Sequence, residues 1–132
     1  MGIIDHITVN VRDLARSRSF YEAALAPLGI RPLMDFGEVA CGFGIKKPEL
    51  WIGCGAASFQ KPEQLDPITP LHVAIVAHTR AEVDAFHAAA MAAGATDNGA
   101  PGPRPHYHAN YYGAFVLDPD GHNLEVVCHH AV

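Results

Sequence analysis

The sequence predicts an α+β fold in which one strand–helix–strands unit is used twice. Three observations carry this. Two segments show the period-two alternation of a strand, and each runs into a stretch with helical spacing. DHITVNVRDLARSRSFYEAAL (5–25) overlays LHVAIVAHTRAEVDAFHAAAM (71–91) without a gap, and His6 falls on His72. Between the repeats lies a polar stretch with Pro62, Pro67 and Pro70, the composition of a connection and not of an element. With 132 residues, about half of them apolar, the chain has the size and core of one domain. Residues 1–132 are therefore expected to form a single domain, with a first unit at 1–54, a linker at 55–70 and a second unit at 71–132.

The elements follow in order. IIDHITVNV (3–11) reads as a strand, with Ile3, Ile7, Val9 and Val11 on one side and Ile4, His6, Thr8 and Asn10 on the other. Asp13 is a good N-cap for a helix whose stripe is Leu14, Phe20, Tyr21, Ala24, Leu25 and Leu28. Pro27 predicts an irregular last turn and Gly29 the stop. IRPLMDF, VACGFGI and PELWIGCG read as short antiparallel strands separated by turn residues. LHVAIVAH begins the second unit, and Thr79 to Glu82 fit a capping box for a helix that buries Val83, Phe86, Ala90 and Met91 and stops at Gly94. NGAPGPRPHYHAN (98–110) reads as a proline-rich loop. YYGAFVL, the turn DPDG (118–121) and HNLEVVCH then make a hairpin.

Bulk properties narrow the function. A net charge of −5 without a basic run argues against nucleic acid and anionic membranes as partners. No apolar stretch approaches the roughly 20 residues of a membrane helix. MGIIDHITV lacks the features of a signal peptide, and Cys41, Cys54 and Cys128 match neither a zinc motif nor a disulfide framework. Small buried thiols in a reducing compartment, and a cytoplasmic location, are the expectation.

Strand parity places one ligand-capable residue on one face of three strands. His6 shares its face with Thr8 and Asn10, His72 with Ala74 and Val76, and Glu125 with Asn123 and Val127. A sheet curved around that face would bring His6, His72 and Glu125 into one pocket. Two imidazoles and a carboxylate form a divalent-metal set with open positions. Glu125, flanked by Leu124, Val126 and Val127, needs a compensating cation if buried.

At this point the chain resembles the vicinal oxygen chelate superfamily, which includes glyoxalase I, extradiol dioxygenases, fosfomycin-resistance thiol transferases and bleomycin-resistance proteins. The resemblance rests on DHITVNVRDLARSRSFYEAAL, LHVAIV and FVLDPDGHNLEVV and covers nearly the whole chain. It implies two tandem βαβββ modules forming a cupped, mostly antiparallel eight-stranded sheet with helices outside, and one divalent metal ion (Zn, Ni, Mn or Fe) on His6, His72 and Glu125. It also implies a small-molecule substrate and a homodimer, in which modules of two chains often complete the cups. Glyoxalase I usually has a fourth ligand, a glutamate in the last strand of the first module. Aligning ELWIGCG with NLEVVCH puts Trp51 at that position, and Glu49 on the same face roughly 6–7 Å along the strand.

Further candidates follow from chemistry. Glu49 is either a solvated strand end or a catalytic base, and Trp51 is either packing or a surface on which substrate stacks. The loop RPHYHANYY (104–112) is rich in groups that donate hydrogen bonds or move protons. His106, His108 and Tyr112 are its acid–base candidates, and Arg104 and Tyr111 its substrate-binding ones. His78, His87, His122, His129 and His130 read as structural or solvated. The expected function is a metal-dependent enzyme on a small oxygen-chelating substrate, either a glyoxalase-like lyase or isomerase or a ring-cleaving dioxygenase. The alternative is a metal-free small-molecule binding protein of the bleomycin-resistance type.

Overall fold

A computed structural model describes residues 2–56 and 58–131; Met1, Ala57 (within the expected linker) and Val132 lie outside them. The elements are β1 (Ile7–Asn10), α1 (Leu14–Leu25), β2 (Arg31–Phe36), β3 (Ala40–Gly44), β4 (Pro48–Gly53), β5 (His72–Ala77), α2 (Arg80–Ala92), β6 (Thr96–Pro103), β7 (Tyr112–Leu117) and β8 (Asn123–Cys128). This is the expected α+β fold with βαβββ used twice. The strands form two four-stranded sheets, ordered β1-β4-β3-β2 and β5-β8-β7-β6. In each, the first strand pairs parallel with the last, and the other pairings are antiparallel. No helix among the described residues is long and apolar enough to cross a membrane.

Local chemistry accounts for the helices. The Asp13 carboxylate accepts the amide of Arg16 at the start of α1. A 3-10 turn over Ala26–Leu28, with Pro27 inside it, ends the helix, and Gly29 leaves it at φ 77°, a left-handed backbone that favours glycine. The Thr79 and Glu82 side chains form the capping box of α2. Phe20, Tyr21, Ala24 and Leu25 of α1 are buried, as are Val83, Phe86 and Ala90 of α2. Each large apolar side chain among them contributes about 1.5–3 kcal/mol relative to exposure. The helices pack on one another and on their own sheets.

Two expected boundaries are corrected. The first strand starts at Ile7 and not Ile3; Ile3 and Ile4 are exposed. β1 is an edge strand paired with β4, which begins at Pro48, so in the register that sets Ile7 beside Leu50 the ladder has no strand residue to offer Ile3 and Ile4. Conversely, much of the expected loop 98–110 is β6, which spans Thr96–Pro103 and pairs with β7. β6 is also an edge strand. Gly99, Pro101, Gly102 and Pro103 are tolerated because one side needs no partner and the register shifts twice along the pairing.

The DPDG turn joins the two units. Tyr21 Oη donates to Asp118 Oδ2 at 2.5 Å, while Asp118 Oδ1 accepts the amides of Asp120 and His122 at 2.9 Å each. Asp120 accepts from the amide of Arg12 at 3.2 Å, its guanidinium at 3.3 Å and Ser17 Oγ at 3.4 Å. His122 Nε2 donates to the carbonyl of Asn10 at 2.7 Å. Ser17, Asp118, Asp120 and His122 are all buried. His122 is thus structural, clamping the end of β1 to the start of β8.

A second clamp holds α2 on β6. His87 Nε2 donates to Asp97 Oδ1 at 2.9 Å, and the amide of Gly99 donates to the same oxygen at 3.0 Å. The Gly99 amide first, and His87 second, hold the Asp97 carboxyl below its ordinary range. The folded value therefore lies below the unfolded one, about 3.9, so the unfolded chain binds more protons between them and stability rises with pH there. The contribution of Asp97 is complete above the unfolded value and is lost as pH falls through the folded one. Urea titrations from about pH 5 down to about pH 2.5 are expected to show a shallower loss of stability in Asp97→Asn than in the parent.

Candidate functional site

On the open face of the second sheet, β8 presents Glu125, whose side chain is almost fully buried. His72 Nε2, from β5, donates to Glu125 Oε1 at 2.9 Å. Tyr111, just before β7, donates its hydroxyl to Oε2. Register makes this arrangement possible, since Glu125 lies beside Ala74 on one side and Phe115 on the other. Gly113 supplies the room: a Cβ there would stand 3.3 Å from both Glu125 Oε2 and the Tyr111 ring. Burial first, and then the Glu125 carboxylate, push the Tyr111 hydroxyl above its ordinary range, so it remains a protonated donor. Phe115 packs at 6.2 Å from the His72 ring, and the Arg104 guanidinium lies 5.5 Å over Phe115. Arg104 is fixed by donating to the carbonyls of Ala100, Gly102 and Pro103.

The 104–111 loop folds onto the end of β8. The amide of Asn110 donates to His108 Nδ1 at 3.2 Å. The proton of a neutral His108 therefore sits on Nε2, which lies 2.6 Å from His129 Nδ1 and donates to it. Both ring nitrogens of His108 are thereby engaged, and both imidazoles meet the Tyr111 ring edge to face. His106 packs on Tyr107 at 4.2 Å.

The first sheet carries a different half. His6, just before β1, borders a cavity of about 520 Å³ with Met34, Phe36, Lys47 and Trp51. Phe36 and Trp51 stack at 5.4 Å and 10°. Gly42, opposite Trp51, must lack a side chain, because a Cβ would come within 2.9 Å of the indole. The two sheets correspond in register. Thr8, two residues after His6, lies beside Trp51; Ala74, two after His72, lies beside Glu125. An indole thus stands where the second sheet has its carboxylate. His6 Nδ1 donates to Asp5 Oδ1 at 2.7 Å, and Lys47 Nζ donates to Asp5 Oδ2 at 2.7 Å and to the Asp5 carbonyl at 3.0 Å. The His6 hydrogen bond first, and then Lys47, pull the Asp5 carboxyl down to about 2.

The structure therefore brings together His72 and Glu125, with Tyr111 and Arg104 close by, and leaves His6 and Trp51 on the other sheet. Among the described residues, no three of His, Cys, Asp and Glu gather closely enough to hold an ion. Glu49 is exposed and borders an apolar groove of about 440 Å³ with Ile7, Phe43, Val73 and Ile75. Tyr112 turns to the helix side, donating to Asp84 Oδ1 at 2.7 Å with Arg80 stacked 4.8 Å over its ring. Sequence reasoning did not single out Asp5, Gly113, Phe115 or a contact between His108 and His129. Asp5 alone carried a signal, as a carboxylate adjoining a candidate ligand.

Residues 3–126 match the family model described as Glyoxalase/Bleomycin resistance protein/Dioxygenase superfamily. Among solved structures, a glyoxalase/bleomycin resistance protein from Albidiferax ferrireducens T118 is 26% identical, with a TM-score of 0.74 over 98% of this chain and 100% of that one. A lactoylglutathione lyase from Agrobacterium tumefaciens is 18% identical, with a TM-score of 0.69 over 97% of this chain and 94% of that one. The fosfomycin resistance protein FosX from Mesorhizobium loti is 19% identical, with a TM-score of 0.64 over 98% and 94% respectively. The latter two show a shared fold. No curated protein matches the chain.

Proposed function

The chain belongs to the glyoxalase/bleomycin resistance protein/dioxygenase superfamily, and from that premise we propose a metal-dependent enzyme acting on a small oxygen-chelating substrate. The observation that carries the reading is the buried Glu125 carboxylate with the His72 imidazole against it on an open sheet face. A buried carboxylate whose side-chain partners are an imidazole and a phenol calls for a cation, and a carboxylate with an imidazole is a donor set that suits one. The donors fit a divalent ion (Zn, Ni, Mn or Fe), with His6 as the third. A bound ion would supply Lewis-acid polarisation of a substrate oxygen.

His6 lies on the other sheet, so the set closes when the first sheet of one copy faces the second sheet of another. A homodimer with shared sites is part of the proposal. The edge of β5 supports it, because Ala74 and Val76 are exposed along a strand with one partner only. The chain's own groups then have distinct tasks. Tyr111 holds the second oxygen of Glu125 and offers a proton it does not readily release. Arg104 sets a positive charge over Phe115 beside His72. Glu125 and Glu49 are the carboxylates able to take a proton beside a carbonyl, and His106 and His108 the imidazoles for ring-opening chemistry. His108 can join in only by giving up one of its present partners. Three unpaired cysteines accord with a cytoplasmic, reducing location.

A second reading is a metal-free binding cup. The stacked Phe36 and Trp51 beside His6, with Trp51 in the carboxylate's place, favour it. Metal analysis of untagged protein purified without chelator separates the two. Near-stoichiometric metal in the parent, lost in His72→Ala, is the expected result. No metal, and no uptake when Zn, Ni, Mn or Fe(II) is supplied, would leave the binding cup.

A further inference from the structure

We infer that His108 and His129 form a proton-sensitive latch on the 104–111 loop: while both imidazoles are neutral it holds the loop on the end of β8 and Tyr111 on Glu125, and a proton on either ring releases it. The inference involves no metal ion and stands apart from the reading of His6, His72 and Glu125.

The hydrogen bonds leave no place for a further proton. The Asn110 amide can only donate, so His108 Nδ1 accepts it at 3.2 Å and the one proton of the neutral ring is on Nε2. Nε2 donates to His129 Nδ1 at 2.6 Å, which leaves the His129 proton on its own Nε2. Each ring therefore has one nitrogen left to protonate, and it is the accepting one. A proton on His129 Nδ1 sets N–H against N–H across that contact. A proton on His108 Nδ1 does the same against the Asn110 amide. The rings are stacked with centroids 4.8 Å apart, so two protons also bring like charges together.

The surroundings do not offset an added charge. Tyr111 meets both rings edge to face, and its hydroxyl is engaged by Glu125. Tyr107 stands against Tyr111 at 4.8 Å, with His106 on its other side at 4.2 Å. Arg104, at the end of β6, donates its amide to the Tyr111 carbonyl at 2.7 Å. His130 follows His129, and His78 follows β5 where Ala77 pairs with Cys128. All of these groups are neutral or cationic except Glu125, which is reached through Tyr111. Among the described residues no carboxylate pairs with either imidazole of the latch. The closed pair thus holds fewer protons than two free imidazoles can take up. Opening binds protons, so it is favoured as pH falls through the imidazole range, about pH 8 to 5, and closure is favoured as pH rises.

Two measurements test this. Nitrogen-15 NMR near pH 8 reports the tautomers. Amide hydrogen exchange at Tyr107, Asn110 and Tyr111, corrected for its intrinsic pH dependence, reports the loop, with Val126 in β8 as the internal control. The parent is expected to carry Nε2–H on both rings. Its three loop amides should lose about 3–10-fold in protection between about pH 8 and about pH 5, the effect of one hydrogen bond, while Val126 stays constant. In His108→Asn, whose side-chain oxygen still accepts the Asn110 amide, loop protection should no longer change over that interval. A parent with its proton on His108 Nδ1 overturns the inference. So does loop protection that stays constant while both imidazoles titrate, or that falls equally in the parent and in His108→Asn.

Discussion

If the proposed metal reading holds, Glu125→Ala is expected to abolish metal uptake and any metal-dependent turnover. Loss of an outer partner of a metal ligand costs about 10–100-fold in affinity, so loss of a ligand should exceed about 100-fold. The parent, loaded and dialysed beside the variant and analysed for metal, checks this. The same variant tests where the site lies. His6→Ala and Glu125→Ala each damage every site of their own homodimer. If each site draws His6 from one copy and His72 and Glu125 from the other, a mixed dimer keeps one undamaged site. After the two variants are unfolded and refolded together, about a quarter of the parental metal should return. If all three ligands come from one chain, mixing restores nothing.

Asp118→Ala is expected to be the most destabilising single substitution outside the hydrophobic core. The Asp118 carboxylate, 5% exposed as a residue, accepts from Tyr21 Oη and from two backbone amides. Alanine removes all three acceptor contacts and leaves the donors without them, at about 1–3 kcal/mol per buried unsatisfied group. The groups share one network, so the costs do not simply add. A total of about 3–5 kcal/mol follows from three such groups whose costs overlap. Tyr21→Phe removes a single hydrogen bond and should cost about 1–2 kcal/mol. Urea denaturation of the two variants beside the parent measures both. Equal losses would mean that the backbone amides find other acceptors.

Most of the fold was legible because burial imposes periods. α1 and α2 announced themselves through a capping residue, an apolar stripe and a stop, and β7 and β8 through the turn between them. β6 was not legible. An edge strand needs no side-chain pattern on its free side, and its glycines and prolines read as turn chemistry. The site was legible in part for a related reason. Parity along a strand says which face His6, His72 and Glu125 share with their neighbours, so a meeting of His72 with Glu125 could be expected, while the adjacent, parallel pairing of their strands could not be read. Parity says nothing about the separation of two sheets, so the distance of His6 from that pair could not. Tyr111 and Tyr112 show the same limit at closer range. Adjacent residues point to opposite faces, and only the register of β7 decides that Tyr111 meets Glu125 while Tyr112 meets α2.

The Asp118 turn also orders events in time. Tyr21 and Asp118 are 97 residues apart, and at about 5–20 residues per second of synthesis the hydroxyl waits about 5–20 s for its acceptor. Throughout that interval the α1 face bearing Ser17 and Tyr21 has no lid. The first half of a nascent chain can form its own strands and helix, yet it finishes its interior only when nearly all of the second half has left the ribosome. The chain is thus exposed to aggregation for that interval on a surface that the finished fold buries.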